Sequence, residues 1–154
     1  MTEQEFLERA VAAAKAAGHV WPEHAACEAA LESAWGASAL AVQANNLFGQ
    51  KQTKPPMAGT GTVEMQTREC YNGEWFTVPA QWVKFADWAG SFAARMRLLE
   101  RTAGEHPHYA EALAAQTGEG FVRAVSQTWS TDPQRAEKVM AVYKQHFPIQ
   151  QEAA

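Results

Sequence analysis

Apolar positions recur along this chain at two periods, and the switch between them sketches the fold. Phe6, Leu7, Ala10, Val11, Ala14 and Ala17 keep helical spacing behind Thr2-x-x-Glu5, a reciprocal capping pattern, and Gly18 closes the run. A first helix over about residues 3–17 follows. Pro22 and Glu23 open a second helix, since proline is tolerated in a first turn and an acid suits the helix dipole there. It carries Glu28 and Glu32 on one face and stops by Gly36. Ser38 caps a short third helix over 39–44, and Asn45-Asn46 turns the chain into Leu47-Phe48-Gly49. The period then drops to two over Thr62–Tyr71 and Glu74–Val78, on either side of Asn72-Gly73, the strongest short hairpin signal. Helical spacing returns over 87–102, with Phe92, Met96 and Leu99 inward, and again over 109–116 and 118–127. Asp132-Pro133 starts a last helix, to about Phe147, and the tail after about 148 is expected to fray. The pattern predicts one mainly helical α+β domain over 1–154, with a small β-hairpin packed on the helices.

Composition narrows the function classes. The 154 residues suffice for a single core, and 47% hydrophobic with 19% charged residues is too apolar for disorder. A formal charge of −4 argues against a nucleic-acid binder, although Lys51, Lys54 and Arg68 can form a local basic patch. No stretch reaches membrane-spanning length. The opening residues lack the positive and apolar regions of a signal peptide, so synthesis in the cytoplasm is expected. Cys27 and Cys70 lack metal-ligand spacing and read as two buried thiols, able to bond only if both flank one cleft. His106 and His108 have no third ligand nearby, and His24 reads as a surface residue. No metal or cofactor is expected, and the domain is expected to be a monomer.

Carboxylates carry the candidate chemistry. Glu32 falls at the C-terminal end of the second helix with Trp35 close behind, and the dipole and a desolvating indole would both raise its pKa. A carboxyl that keeps its proton near neutrality suits an acid that protonates a leaving sugar oxygen. Glu28 competes for the role but has no special setting, and reads as support or surface. In the hairpin, Glu64 and Glu69 lie on opposite faces because their separation is odd. Two carboxylates on separate elements across a cleft is the general arrangement of glycosidases. The Lys-, Pro- and Gly-rich segment 52–61 reads as a loop or lid beside that cleft.

Glu32-Ser-Ala-Trp-Gly-x-Ser-x-Leu-Ala together with Asn46-Leu-Phe-Gly-x-Lys51 resembles the signature of the bacterial and phage endo-β-N-acetylglucosaminidases, glycoside hydrolase family 73. The resemblance implies a lysozyme-like fold whose hairpin flanks the active-site cleft, and cleavage of peptidoglycan glycan strands after N-acetylglucosamine. It implies Glu32 as the acid and Glu69 as the second carboxylate, with Glu64 as the alternative. Trp35, Asn46, Phe48, Phe85 and Trp129 become candidate substrate-binding residues, the Leu47-Phe48 corner also filling core. Thr128-Trp129-Ser-Thr-Asp132-Pro133 resembles a family element with Gly and Tyr at its first two positions, and Phe85 also stands where the family usually has Tyr. An indole can stack on a sugar and donate one hydrogen bond, but it cannot act as acid or base. The expected roles are a phage lysin released through a holin, or an injected effector with a cognate immunity protein, acting in the periplasm or cell wall. A lytic transglycosylase or muramidase, and a catalytically silent glycan-binding module, are the alternatives.

Overall fold

The computed structural model describes residues 1–147, so the expected fraying after 148 lies outside the described residues. Among the described residues seven helices and one hairpin follow in the order α1 (Glu3–Ala16), α2 (Pro22–Glu32), α3 (Ala39–Ala44), β1 (Gly61–Tyr71), β2 (Glu74–Lys84), α4 (Trp88–Thr102), α5 (Pro107–Leu113), α6 (Gly118–Trp129) and α7 (Arg135–His146). The predicted mainly helical α+β architecture is the one found. Thr2 and Glu5 form the reciprocal cap of α1, and Ser38, Asp87 and Thr117 cap α3, α4 and α6 through their side-chain oxygens.

The alanine-rich α2 forms the centre. Its Ala25, Ala26, Cys27, Ala29 and Ala30 are buried, and side chains this small let α1, α6 and α7 approach it closely. Phe6, Phe92, Phe121, Leu99, Val122, Val125 and Val139 fill the space around it. This helix ends four residues before Gly36. Ala34 and Trp35 both take positive φ, at 50° and 56°, and Gly36 follows at 80°, so three successive left-handed residues turn the chain off the end of α2. A side chain at Gly36 is disfavoured by its positive φ, and a β-carbon there would lie 3.1 Å from the Phe6 ring, which would have to shift.

The hairpin is longer than the period-two pattern suggests: β2 continues past Pro79 to Lys84, paired in register from Gly61↔Lys84 to Tyr71↔Glu74. Proline is tolerated because a two-stranded ribbon has only edges. Asn72 and Gly73 turn the tip with positive φ. At the base, Gln50 and Gln52 hydrogen-bond β2 through Val83 and Gln81, which ties the ribbon to the body. Segment 52–60 is knotted there by Gln52, whose amide donates to Thr60, Gly61 and Thr62 while its oxygen accepts from Thr53 and Met57. Two further expectations shift. The last helix begins at Arg135 rather than Asp132, whose carboxylate instead accepts from Gln134 in a turn. On α4, Arg95 joins Phe92 and Leu99 in the interior, and Met96 is only partly buried.

Candidate active site

Glu32 closes α2 and lines a hollow of about 280 Å³ between the helical body and the hairpin. Ser38, Leu40, Asn46 and Gly49 form its body side, and Met65, Gln66 and Trp82 its hairpin side. The Glu32 side chain is about a quarter exposed, and its Oε1 accepts from Arg135 Nε at 2.9 Å. Among the described residues no protein donor reaches Oε2. The indole expected beside it is elsewhere: Trp35 packs edge-on against Phe6 and His146. A cation, not an aromatic face, is the close neighbour of Glu32.

Behind Glu32 lies a buried charge cluster. Arg95 grips Glu28 with both ends of its fork, at 3.0 and 2.7 Å, and both side chains are essentially inaccessible. Arg135 Nη2 lies 2.9 Å from the same Glu28 oxygen but off the line of a hydrogen bond, and its Nη1 donates to Ser126 at 2.8 Å. Burial alone would push the Glu28 carboxyl up, but the two guanidiniums outweigh it and hold the group below its ordinary value. Burial would likewise lower Arg135, and Glu28 and Glu32 more than reverse it. Two acids and two arginines thus balance at the end of α2. Glu28, expected as support or surface, is fully buried support.

The hairpin faces sort its glutamates. Partners across an antiparallel ribbon share a face, so Val63, Met65, Thr67, Glu69 and Tyr71 align with Trp82, Ala80, Val78, Phe76 and Glu74. Met65 and Trp82 of this face line the Glu32 hollow, and Trp82 Nε1 donates to the Met65 carbonyl at 3.2 Å. Glu69 shares that face four residues further toward the tip, about 13 Å of strand beyond Met65. Its carboxylate accepts from Lys51 Nζ at 2.9 Å, and Lys51 itself bridges to Trp82 through the backbone. Glu64 is on the opposite face and accepts from Gln81.

The other predicted residues divide. Asn46 lines the hollow, yet its amide is spent on the fold: Nδ2 donates to the Gln50 and Val83 carbonyls and Oδ1 accepts from the Gln50 amide. Phe48 and Trp129 lie over the Arg95 guanidinium, 4.7 and 4.8 Å from their ring centres, and form the wall of the charge cluster rather than of the Glu32 hollow. Phe85 is core, packed with Val83, Ala94 and Met57. None of the 52–60 loop lines the hollow. Around Trp129, Thr128 and Ser130–Pro133 border a separate polar groove of about 770 Å³, which also contains Ser126. A third hollow of about 400 Å³ between α1 and α7, lined by Leu7, Val11 and Phe147, holds no residue of either motif. Cys27 is buried with its thiol pushed up to about 12 by burial, then by Glu28 and Glu23, whereas Cys70 is exposed near the hairpin tip, so the two are unpaired. His24 stacks on Tyr143 instead of facing solvent. Among the described residues no cluster of three or more acids, histidines or cysteines could hold a metal.

A helical body with a paired hairpin over a glutamate at the end of its central helix is the lysozyme-like arrangement of the glycoside hydrolases. The chain belongs to the glucosaminidase family, glycoside hydrolase family 73: the family model described as mannosyl-glycoprotein endo-beta-N-acetylglucosaminidase matches residues 8–147. The exo-glucosaminidase LytG of Bacillus subtilis is 32% identical over 130 residues, 83% of this chain and 45% of LytG. A probable N-acetylmuramidase of Lactococcus lactis subsp. cremoris is 29% identical over 148 residues, 92% of this chain and 33% of that protein. The chain thus spans less than half the length of these relatives. The catalytic domain of the autolysin Auto from Listeria monocytogenes superposes with a TM-score of 0.79 at 24% identity, over 96% of this chain and 86% of that one.

Proposed function

We propose that this domain hydrolyses the β-1,4 bond after N-acetylglucosamine in peptidoglycan glycan strands, with Glu32 as the acid. The observation that carries the reading is Glu32 itself: a partly exposed carboxylate in a hollow walled by the hairpin, with one oxygen fixed by Arg135 and the other without a protein donor. Oε2 is then the atom that hands a proton to the glycosidic oxygen. Arg135 is shared with the fully buried Glu28, so it orients Glu32 without being its exclusive counter-ion. Glu69 acts from the same hairpin face, but some 13 Å of strand beyond Met65. We assign it the steering of a water or the orientation of the substrate's own 2-acetamido group. Lys51 holds the Glu69 carboxylate in place. Trp82 and Met65 offer the apolar wall against which a sugar ring lies.

Peptidoglycan digested with wild type and with Glu32→Gln, reduced with borohydride and analysed by mass spectrometry, tests the reading. Products ending in reduced N-acetylglucosamine are expected, at least about a hundredfold fewer with the variant, the scale of a lost acid catalyst. A folded Glu32→Gln of wild-type activity would refute the assignment. Reduced muramic ends would favour the muramidase reading that the Lactococcus relative raises, and anhydro-muramic ends a transglycosylase. For the biological role we propose a phage lysin released through a holin, or an injected effector met by an immunity protein. Lysis of a Gram-negative host when the domain is directed to its periplasm, and none when it is kept in the cytoplasm, is expected of both. Isolation of a tight inhibitor made beside it would single out the effector.

A further inference from the structure

The hairpin does not end at Glu69. On the same face, Phe76 lies directly opposite Glu69 and Tyr71 stands two residues nearer the tip, their ring centres 6.0 Å apart and their planes inclined at 50°. Tyr71 is 57% and Phe76 44% exposed, and neither joins the buried clusters of the body. The opposite face carries its own aromatic, Trp75, but there Arg68 lies over the ring at 5.1 Å. Among the described residues no cation lies over the Tyr71–Phe76 pair, and it continues the surface that starts with Trp82 and Met65 at the Glu32 hollow and passes Glu69. From Met65 to Tyr71 this face measures about 20 Å.

We infer that Tyr71 and Phe76 form a distal glycan subsite, a platform on which a pyranose ring of the strand lies several sugars away from the bond cleaved at Glu32. The inference rests on the proposed glycosidase reading and extends it to how long strands are preferred. The chemistry fits. An aromatic face carries partial negative charge and attracts the weakly positive axial C–H bonds of an equatorially linked sugar, while a tyrosine hydroxyl can bond the sugar rim. The flanking polar groups of this face, Glu69 with Lys51 and Glu74 beside the turn, complete the mixed apolar and polar surface that such a ring requires. Two rings inclined at 50° form an open trough rather than a flat stack, which favours a ring lodged against both. Register also matters: the subsite exists on this face only because the pairing puts Tyr71 and Phe76 on the side of Glu69.

The test compares binding and turnover as a function of strand length. Calorimetry uses Glu32→Gln and the triple variant Glu32→Gln/Tyr71→Ala/Phe76→Ala with β-1,4-linked N-acetylglucosamine trimers and octamers. Tyr71→Ala/Phe76→Ala, and the milder Phe76→Leu that keeps an apolar side chain to guard against a frayed tip, are assayed on peptidoglycan. The expected result is a preference for octamer over trimer that falls roughly tenfold in the triple variant, with kcat/KM on long strands falling in parallel. An unchanged length preference in the triple variant overturns the subsite, whether or not wild type cleaves peptidoglycan. Length-dependent binding that the triple variant loses, with no products from wild type, leaves the subsite standing and sinks the glycosidase reading instead. Binding of wild type to anionic phospholipid vesicles, lost with Tyr71→Ala/Phe76→Ala and accompanied by no length preference, also overturns it.

Discussion

Replacing Glu28 with glutamine keeps the shape of the side chain and removes one negative charge from a fully buried position. Arg95 then keeps one acceptor, the amide oxygen, and meets an NH2 donor at the other end of its fork, while Arg135 keeps only Glu32 as an anionic partner, itself a quarter exposed. Neither guanidinium can retreat to water, since both are about as inaccessible as Glu28. Breaking a buried pair on one side costs about 3–5 kcal/mol, far more than the pair contributes relative to apolar residues of the same size. A domain of this kind has roughly 5–15 kcal/mol in total, so the loss is a large share. At about 2–4 °C per kcal/mol for a chain of this length, Tm should fall by roughly 6–20 °C. Urea unfolding followed by far-UV circular dichroism at pH 7 measures it. The deficit should persist at high salt, because buried charges are poorly screened. Glu64→Gln, on the exposed face of the hairpin, is the control and should stay within about 0.5 kcal/mol of wild type. Glu28→Gln within about 1 kcal/mol of wild type would refute the account of the cluster.

Other consequences can be checked at once. His19 is buried and its pKa is lowered to about 4, first by burial and then by Arg95. Unfolded, it takes a proton near pH 6.5, so the folded state loses stability as pH falls from 6.5 to 4, by about 3 kcal/mol in all. His24, also lowered by burial, adds to the same slope, and His19→Asn should flatten the slope in equilibrium unfolding between those pH values. Ellman's reagent should modify one thiol per native molecule, Cys70, and the second only after denaturation. Lys51→Met should leave stability within about 1 kcal/mol, because both partners of the Lys51–Glu69 pair are exposed or half-exposed, while lowering turnover severalfold by freeing Glu69.

The helices, their caps and the hairpin turn were readable because each rests on local rules: a capping pair at Thr2 and Glu5, a serine at 38, Asn72-Gly73 at the tip. The resemblance singles out Glu32 and Glu69 as candidates, and the strand pairing bears out the parity that puts Glu69 and Glu64 on opposite faces. What escaped was long-range. The partner of Glu32 is 103 residues away, and nothing local at Glu32 announces Arg135. Two signals did exist. Arg135 opens α7, where the helix dipole disfavours a cation, so its presence there asks for buried acids. Arg95 falls at i+3 from Phe92 and four before Leu99, on the apolar stripe of α4, where an unpaired charge would be untenable. Residue type alone does not place the aromatic candidates either. Trp35, Phe48, Phe85 and Trp129 look like sugar platforms by type, but three of them serve the hydrophobic core or the Arg95 wall and Trp35 turns toward Phe6.

The contact between Arg135 and Glu32 also sets an order of events during synthesis. Glu32 emerges from the ribosome early, but the guanidinium that fixes it belongs to the last described helix. At about 5–20 residues per second, roughly 5 to 20 s of translation separate the two. Until α7 has emerged and docked on α2, the nascent chain holds its acid without the group that aims it. A ribosome stalled anywhere before that helix therefore carries a chain whose Glu32 is untethered, and the site is organised only once nearly all of the described domain has emerged.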